Sequence, residues 1–213
     1  MRRLVRTVLR LWWALALALP GAAHAGAQVY EPLSASVRSA LNRSMSDHAT
    51  PHLAFDTEAE ARRWLAAMSS RLAPRVGNRL ERESFLITVH YEAKRAGLDP
   101  QLVLGLIQVE SNFRKYAVSR AGARGYMQVM PFWIELIGRG DDNLFHLRTN
   151  LRYGCVILRH YLDRENGDLY RALGRYNGSV GRPDYPTLVL RAWQRDWGYS
   201  TRTAEAAPAD SRG

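Results

Sequence analysis

The chain has 213 residues, 46% of them hydrophobic, with 30 Lys+Arg against 20 Asp+Glu, a formal charge of +10 and one Cys. That length suits one hydrophobic core with at most a small added lobe. A 23% charged fraction with six Trp excludes a disordered chain, and one Cys excludes an intramolecular disulfide framework or a Cys-cluster zinc site.

Residues 1–25 read as an export signal. Met1–Arg10 is basic, Leu11–Leu19 is an unbroken apolar run, Pro20-Gly21 breaks it, and Ala23-His24-Ala25 gives the small-x-small pattern of a signal peptidase site. A membrane-spanning helix needs ~20 apolar residues, so this run is too short to span, and no stable membrane insertion is expected. No Cys stands at the cleavage point to accept a lipid. The expected product is a periplasmic chain starting near Gly26. Removing Arg2, Arg3, Arg6 and Arg10 from the 30 basic residues leaves 26 against 20 acidic, a net +6.

Residues 26–78 read as a small N-terminal helical extension, 79–200 as the main domain and 201–213 as a disordered tail rich in Ala, Asp, Arg and Pro. Within the extension, Thr57 with Glu60 three residues on forms a capping box, and Ala61, Trp64, Leu65 and Met68 share one helical face. A second helix is expected from Glu81 to Ala96, with Leu86, Val89, His90 and Ala93 inward and Gly97 as its stop. Asp99-Pro100 opens a third, whose body from Leu102 to Val109 is apolar nearly all round and must therefore be buried. Further helices are expected over Tyr126–Ile137, Asn150–Arg164, Leu169–Tyr176 and Pro186–Trp197. Alternating strand patterns are scarce, so the fold class is all-α.

Glu110 is the chemical outlier. It ends the apolar third helix, where desolvation and the negative end of the helix dipole both disfavour a charged carboxylate. Both raise its pKa, as a general acid near neutral pH requires. The alternative is a Glu turned out to water, and position alone does not separate the two. The loop Ser119–Gly125 and the run Tyr126–Pro131 follow. Ser119, Gln128 and the loop peptides offer the donors and acceptors that a polyhydroxylated ligand needs, although the same composition also fits a plain turn.

Glu110-Ser111, Ala117-Val118-Ser119, Gly122-Ala123-Arg124-Gly125 and Met127-Gln128-Val129-Met130-Pro131 together resemble the signature of the soluble lytic murein transglycosylases. Asn150-Leu151-Arg152-Tyr153-Gly154 resembles that family's N-x-x-x-G helix start. Ala172–Gly178 resembles its A-Y-N-x-G motif, and Tyr185 with Val189 its final Y-x-x-x-V. The likeness runs from about Asp99 to Val189.

The resemblance implies a lysozyme-like α-domain that cleaves the β-1,4 bond between N-acetylmuramic acid and N-acetylglucosamine in peptidoglycan glycan strands. By position, Glu110 is the single catalytic acid/base. Ser119, Gln128 and Met130 fall where the family contacts sugar, and Tyr176 and Asn177 where it lines the site and orients the acid. Tyr126, where an aliphatic residue is usual, and Gly174-Arg175, before Tyr-Asn, depart from the pattern and bear on subsite preference. A hydrolytic muramidase and a non-catalytic wall-binding accessory of a secretion apparatus stay open as alternatives.

Ordinary glycosidases use two carboxylates, with substrate-assisted exceptions. Glu135, Asp141, Asp142 and Asp163 are candidate second acids, but no motif places them. Cys155 reads as a buried small hydrophobe, Trp193 and Trp197 as a packing face, and His90, His146 and His160 lack metal-ligand spacing. No metal and no cofactor are expected. Scattered Lys and Arg on an exported chain argue against nucleic acid, whereas stem-peptide carboxylates of the wall suit a basic protein. Mass spectrometry of the envelope fraction is expected to find a chain that starts at Gly26; a cytoplasmic chain that keeps Met1 would overturn the localisation.

Overall fold

The structure, a computed structural model, describes residues 28–46 and 49–200. The expected export signal and disordered tail lie outside the described residues. Among the described residues regular structure is helical throughout, and extended pairing is confined to two isolated bridges. The all-α expectation holds.

The extension contributes α1 (Ala35–Met45) and α2 (Glu58–Leu72). Nothing in the sequence pattern singled out α1, because it fully buries no residue and its apolar stripe is only the partly buried Val37, Leu41 and Met45; Ser34 starts it by accepting from the Val37 N–H. Helix α2 begins at the expected cap, where Thr57 accepts from the Glu60 N–H, and it buries Trp64, Met68 and Leu72.

Helix α3 (Arg79–Arg95) starts two residues before the expected Glu81 because Asn78 caps it, and it buries Leu86, Val89, His90 and Ala93 as expected. Helix α4 (Pro100–Ser111) has Asp99 as cap and Pro100 at its first position. It lies at the centre, against α3 on one side and α8 (Asp184–Arg191) with its continuation on the other. There Gly105 is required: a Cβ at this position would lie 2.8 Å from the backbone nitrogen of Trp193. Helix α6 (Leu147–Arg164) packs on α3 and on α7 (Leu169–Asn177), α2 packs on α3, and α1 packs on α5 (Phe132–Ile137) and α6.

Two expected helices are corrected. The one over 126–137 is only α5, because Gln128 is left-handed (φ 49°) and Arg124 exchanges backbone hydrogen bonds with Val129, so residues 126–130 form a loop. The one over 186–197 is α8 followed by a π turn, Ala192–Asp196. Helix α6 also begins three residues before Asn150.

Cys155 is buried and free, and burial pushes its thiol far up, as suits a packing residue. His90 is buried between Phe55 and Trp64, with ring centroids at 4.7 and 4.9 Å, and burial lowers its pKa to about 4.

The extension is joined to the main domain through a buried charge. The fully buried Glu92 carboxylate accepts from Arg95 (3.2 Å), Arg148 (3.1 Å) and Arg152 (3.0 Å). The same three guanidinium groups donate to carbonyls of Ser44 (2.5 Å), Ala49 (2.5 Å) and Met45 (3.0 Å), at and just beyond the C-terminal end of α1. Glu92→Gln keeps the shape and leaves three cations facing one another. It is expected to lower unfolding free energy by about 3–5 kcal/mol in a denaturant titration.

Candidate active site

Glu110 sits in the last turn of α4, just before the backbone turns left-handed at Asn112 (φ 49°) and Phe113 (φ 64°). The preceding helix buries Leu102 through Ile107, so the side chain is delivered to the edge of the core. The residue keeps part of its surface, but burial dominates its carboxyl and pushes the pKa up to about 8. Against this, the phenol of Tyr185, from α8, donates to Glu110 Oε1 at 2.5 Å and favours the charged form. Among the described residues no second carboxylate enters the balance at Glu110.

The four candidate second acids are placed elsewhere. Asp142 accepts from the Arg139 N–H (2.9 Å) and the Tyr153 phenol (2.5 Å). Asp163 pairs with Arg159, and Glu135 and Asp141 are exposed.

Tyr176, expected to hold the acid through its phenol, instead donates to the Met127 carbonyl at 2.8 Å. The reason is local: the phenol is buried, and the Met127 carbonyl belongs to a loop with no helical donor to satisfy it. Tyr185 holds Glu110 in its place. Tyr176 still stands near the acid, since burial first and then the Glu110 charge raise its pKa far above the usual phenol range. Asn177 follows at the end of α7, 3% exposed, with its Nδ2 unpartnered.

The loop from Ala117 to Met130 is held by its own polar groups. Ser119 donates its N–H to the Ala123 carbonyl (3.0 Å), and its Oγ accepts from the Ala123 N–H (3.1 Å). Gln128 donates its amide to the carbonyls of Ala117 (3.1 Å) and Gly125 (2.9 Å), which offsets the cost of its left-handed backbone. Met130 is half-buried beside it. The structure therefore brings Tyr176 together with Glu110, and places Ser119, Gln128 and Met130 on the one loop that Tyr176 touches.

Residues without an expected role complete this arrangement. Asn150, wholly buried in the first turns of α6, accepts from the Met127 N–H (2.8 Å) and donates to the carbonyls of Arg124 (2.9 Å) and Leu144 (2.8 Å). A Cβ at Gly125 (φ 76°) would collide with that amide, and one at Gly154 would collide with the Met127 thioether. The N-x-x-x-G spacing is thus one face of α6 that binds the loop and admits Met127. Gln28, in the extension, also reaches this region, its Oε1 accepting from the Trp133 indole (2.9 Å) and the Met130 N–H (3.2 Å). The sequence held a signal for Asn150 and Tyr185 in their motifs, but none for Gln28.

Comparison with known proteins gives consistent likenesses. The family model described as Transglycosylase SLT domain matches residues 88–184. A protein named membrane-bound lytic murein transglycosylase C from Haemophilus influenzae (strain PittEE) is 42% identical over 141 residues, covering 58% of this chain and 38% of that protein. Its namesake from Mannheimia succiniciproducens is 47% identical over 132 residues, 54% of this chain and 35% of its own length. A transglycosylase of Enterobacteria phage PRD1 is 32% identical over 116 residues, 54% and 38% of the two chains. The chain spans less than two-fifths of the length of these relatives.

A carboxyl whose folded pKa of about 8 lies above its ordinary 4.5 gives stability a definite slope. Between those values the folded chain keeps a proton that the unfolded chain releases, so stability is full below the lower value and lost as pH rises through the upper one. The difference in unfolding free energy between Glu110→Gln and the unaltered chain is expected to grow in the variant's favour from about pH 4.5 to 8. A flat difference would show that the carboxyl is not buried against its charge.

Proposed function

We propose that this chain is a peptidoglycan lytic transglycosylase, a reading supported by the match of residues 88–184 to the transglycosylase SLT domain model. It cleaves the β-1,4 bond between N-acetylmuramic acid and N-acetylglucosamine and leaves 1,6-anhydromuramoyl ends. The single observation that carries the reading is Glu110: one buried carboxyl, protonated at neutral pH, under the control of one phenol and no second acid among the described residues.

A protonated Glu110 donates its proton to the glycosidic oxygen, and the bond from that oxygen to C1 breaks. The N-acetyl group of the muramic acid stabilises the positive C1. Glu110, now a carboxylate, accepts the C6 hydroxyl proton while that oxygen bonds to C1. The proton returns to Glu110, no water is consumed, and one carboxyl serves as acid and then as base. The Tyr185 hydrogen bond steadies the carboxylate between the two steps, when the charge is exposed to a dry site.

In this reading Ser119, Gln128 and Met130 present the sugar-contacting loop, and Tyr176 with Asn177 forms the wall beside the acid. The unpartnered Asn177 amide suits a sugar oxygen or acetamido carbonyl. Residues 79–200 form the catalytic domain and 26–78 an extension fastened to it. Export to the periplasm follows from the N-terminal signal, and among the described residues no helix is long and apolar enough to cross a membrane.

Purified sacculi treated with the unaltered chain are expected to release fragments with anhydromuramoyl ends, and Glu110→Gln is expected to lower that release by at least about a hundredfold, the scale of a lost general acid. Fragments ending in ordinary reducing muramic acid would make the enzyme a hydrolase. Binding to sacculi with no fragments at all would make it the non-catalytic accessory.

A further inference from the structure

Gln28 belongs to no motif, lies far before the family match, and yet is 4% exposed among site residues. Its Oε1 accepts from the Trp133 indole N–H at 2.9 Å and from the Met130 backbone N–H at 3.2 Å. Its side chain also lies beside the Tyr176 phenol, which donates its own hydrogen bond to the Met127 carbonyl. One amide therefore joins the Met130 end of the loop to the first buried ring of α5, beside Tyr176 of α7.

The segment that carries Gln28 is anchored independently. Tyr30 meets Phe132 edge-on with ring centroids 5.5 Å apart, and Glu31 pairs with Arg164 and, at 3.8 Å, with Arg175. Leu33 packs against the core before α1 begins. Trp133 and Met130 both need an acceptor at this point, and the amide oxygen of Gln28, with two lone pairs and no charge, serves both. Without it the buried Trp133 indole N–H would lose the partner it has here.

We propose that Gln28 is a positioning residue of the glycan site, through which the N-terminal extension holds Met130 of the loop and Trp133 of α5 in register beside Tyr176. The inference rests on the proposed reading of the residues around Glu110 as a peptidoglycan site. It gives the extension a part in turnover beyond wrapping the core. Gln28 touches no reacting atom and acts through the two residues that it holds.

The test uses the exported chain, with release of fragments from purified sacculi and kcat and KM on soluble glycan strands. Gln28→Met keeps the volume and deletes every hydrogen bond. It is expected to lower kcat about tenfold, equivalent to about 1.4 kcal/mol in the barrier, at a temperature well below its melting transition. Gln28→Glu keeps the acceptor oxygens for Trp133 and Met130 and adds a carboxylate beside Tyr176, whose phenol feels the Glu110 charge. It is expected to fold even if the Met variant does not, and to move the alkaline limb of the pH–rate profile upward, since a like charge disfavours ionisation of Glu110. A role in stability alone would lower the melting temperature and leave kcat and the pH profile in place. If the unaltered chain is active and both variants match it in kcat and pH profile, the inference about Gln28 fails alone. An unaltered chain that does not act on sacculi would bring down the glycan reading and this inference with it.

Discussion

A carboxyl is kept protonated at neutral pH by a like charge beside it or by the loss of water around it, and at Glu110 it is the loss of water, which α4 brings about. Its residues Leu102 through Ile107 are buried, and it can be buried on both sides only because Gly105 lets the chain after α8 approach backbone to backbone. Gln108, one turn before the end, binds Asp196 (2.7 Å) and accepts from the Trp197 indole (2.8 Å), closing the same contact from the polar side. Glu110 then emerges where the apolar face ends. The packing of α8 against α4 also delivers Tyr185, so one helix pair both dries the acid and supplies its only hydrogen-bond partner among those described.

The sugar-side loop rests on a different principle. Residues 117–130 have little regular structure, so their backbone groups pair with one another in turns and, where they do not, with side chains. Gln128 serves the loop from within, Asn150 from α6, Tyr176 from α7 and Gln28 from the extension. Each is buried and each binds at least two loop or neighbouring groups, apart from Tyr176, which binds the Met127 carbonyl. Such a network is rigid when complete and fragile when one member is removed.

Charge organises the extension in the same way that hydrogen bonds organise the loop. A buried carboxylate with three arginines is costly unless the surplus positive charge is used, and the carbonyls at the end of α1 use it. Glu92 thereby fixes α1 to α3 and α6, although α1 has no buried residue of its own. At the other end of that segment, Glu31 and Gln28 fix the chain to α6, α7 and the loop. The first part of the extension, through α1, is held by polar contacts at both ends and by the partly buried Leu33, Leu41 and Met45 between them, whereas α2 is fastened by the core residues Trp64, Met68 and Leu72.

Periodicity, caps and turn residues determined the helical class, the position of α2, α3, α4 and α7 within a few residues, and the burial of α4 that makes Glu110 exceptional. These are local properties, written in spacing and in the chemistry of single caps such as Thr57 and Asp99. The motifs from Glu110 to Tyr185 likewise mark one region from sequence alone. The tertiary structure decided which groups meet. Tyr185 and not Tyr176 bonds the acid, because the orientation of α8 across α4 is a long-range fact with no local signature. Residues 126–130 are loop and not helix, because Asn150 and Gln128 satisfy that backbone from outside the helical pattern. Helix α1 and Gln28 were invisible for the same reason: their partners lie 51 to 107 residues away, and only folding brings a polar group to the one place where its counterpart is buried.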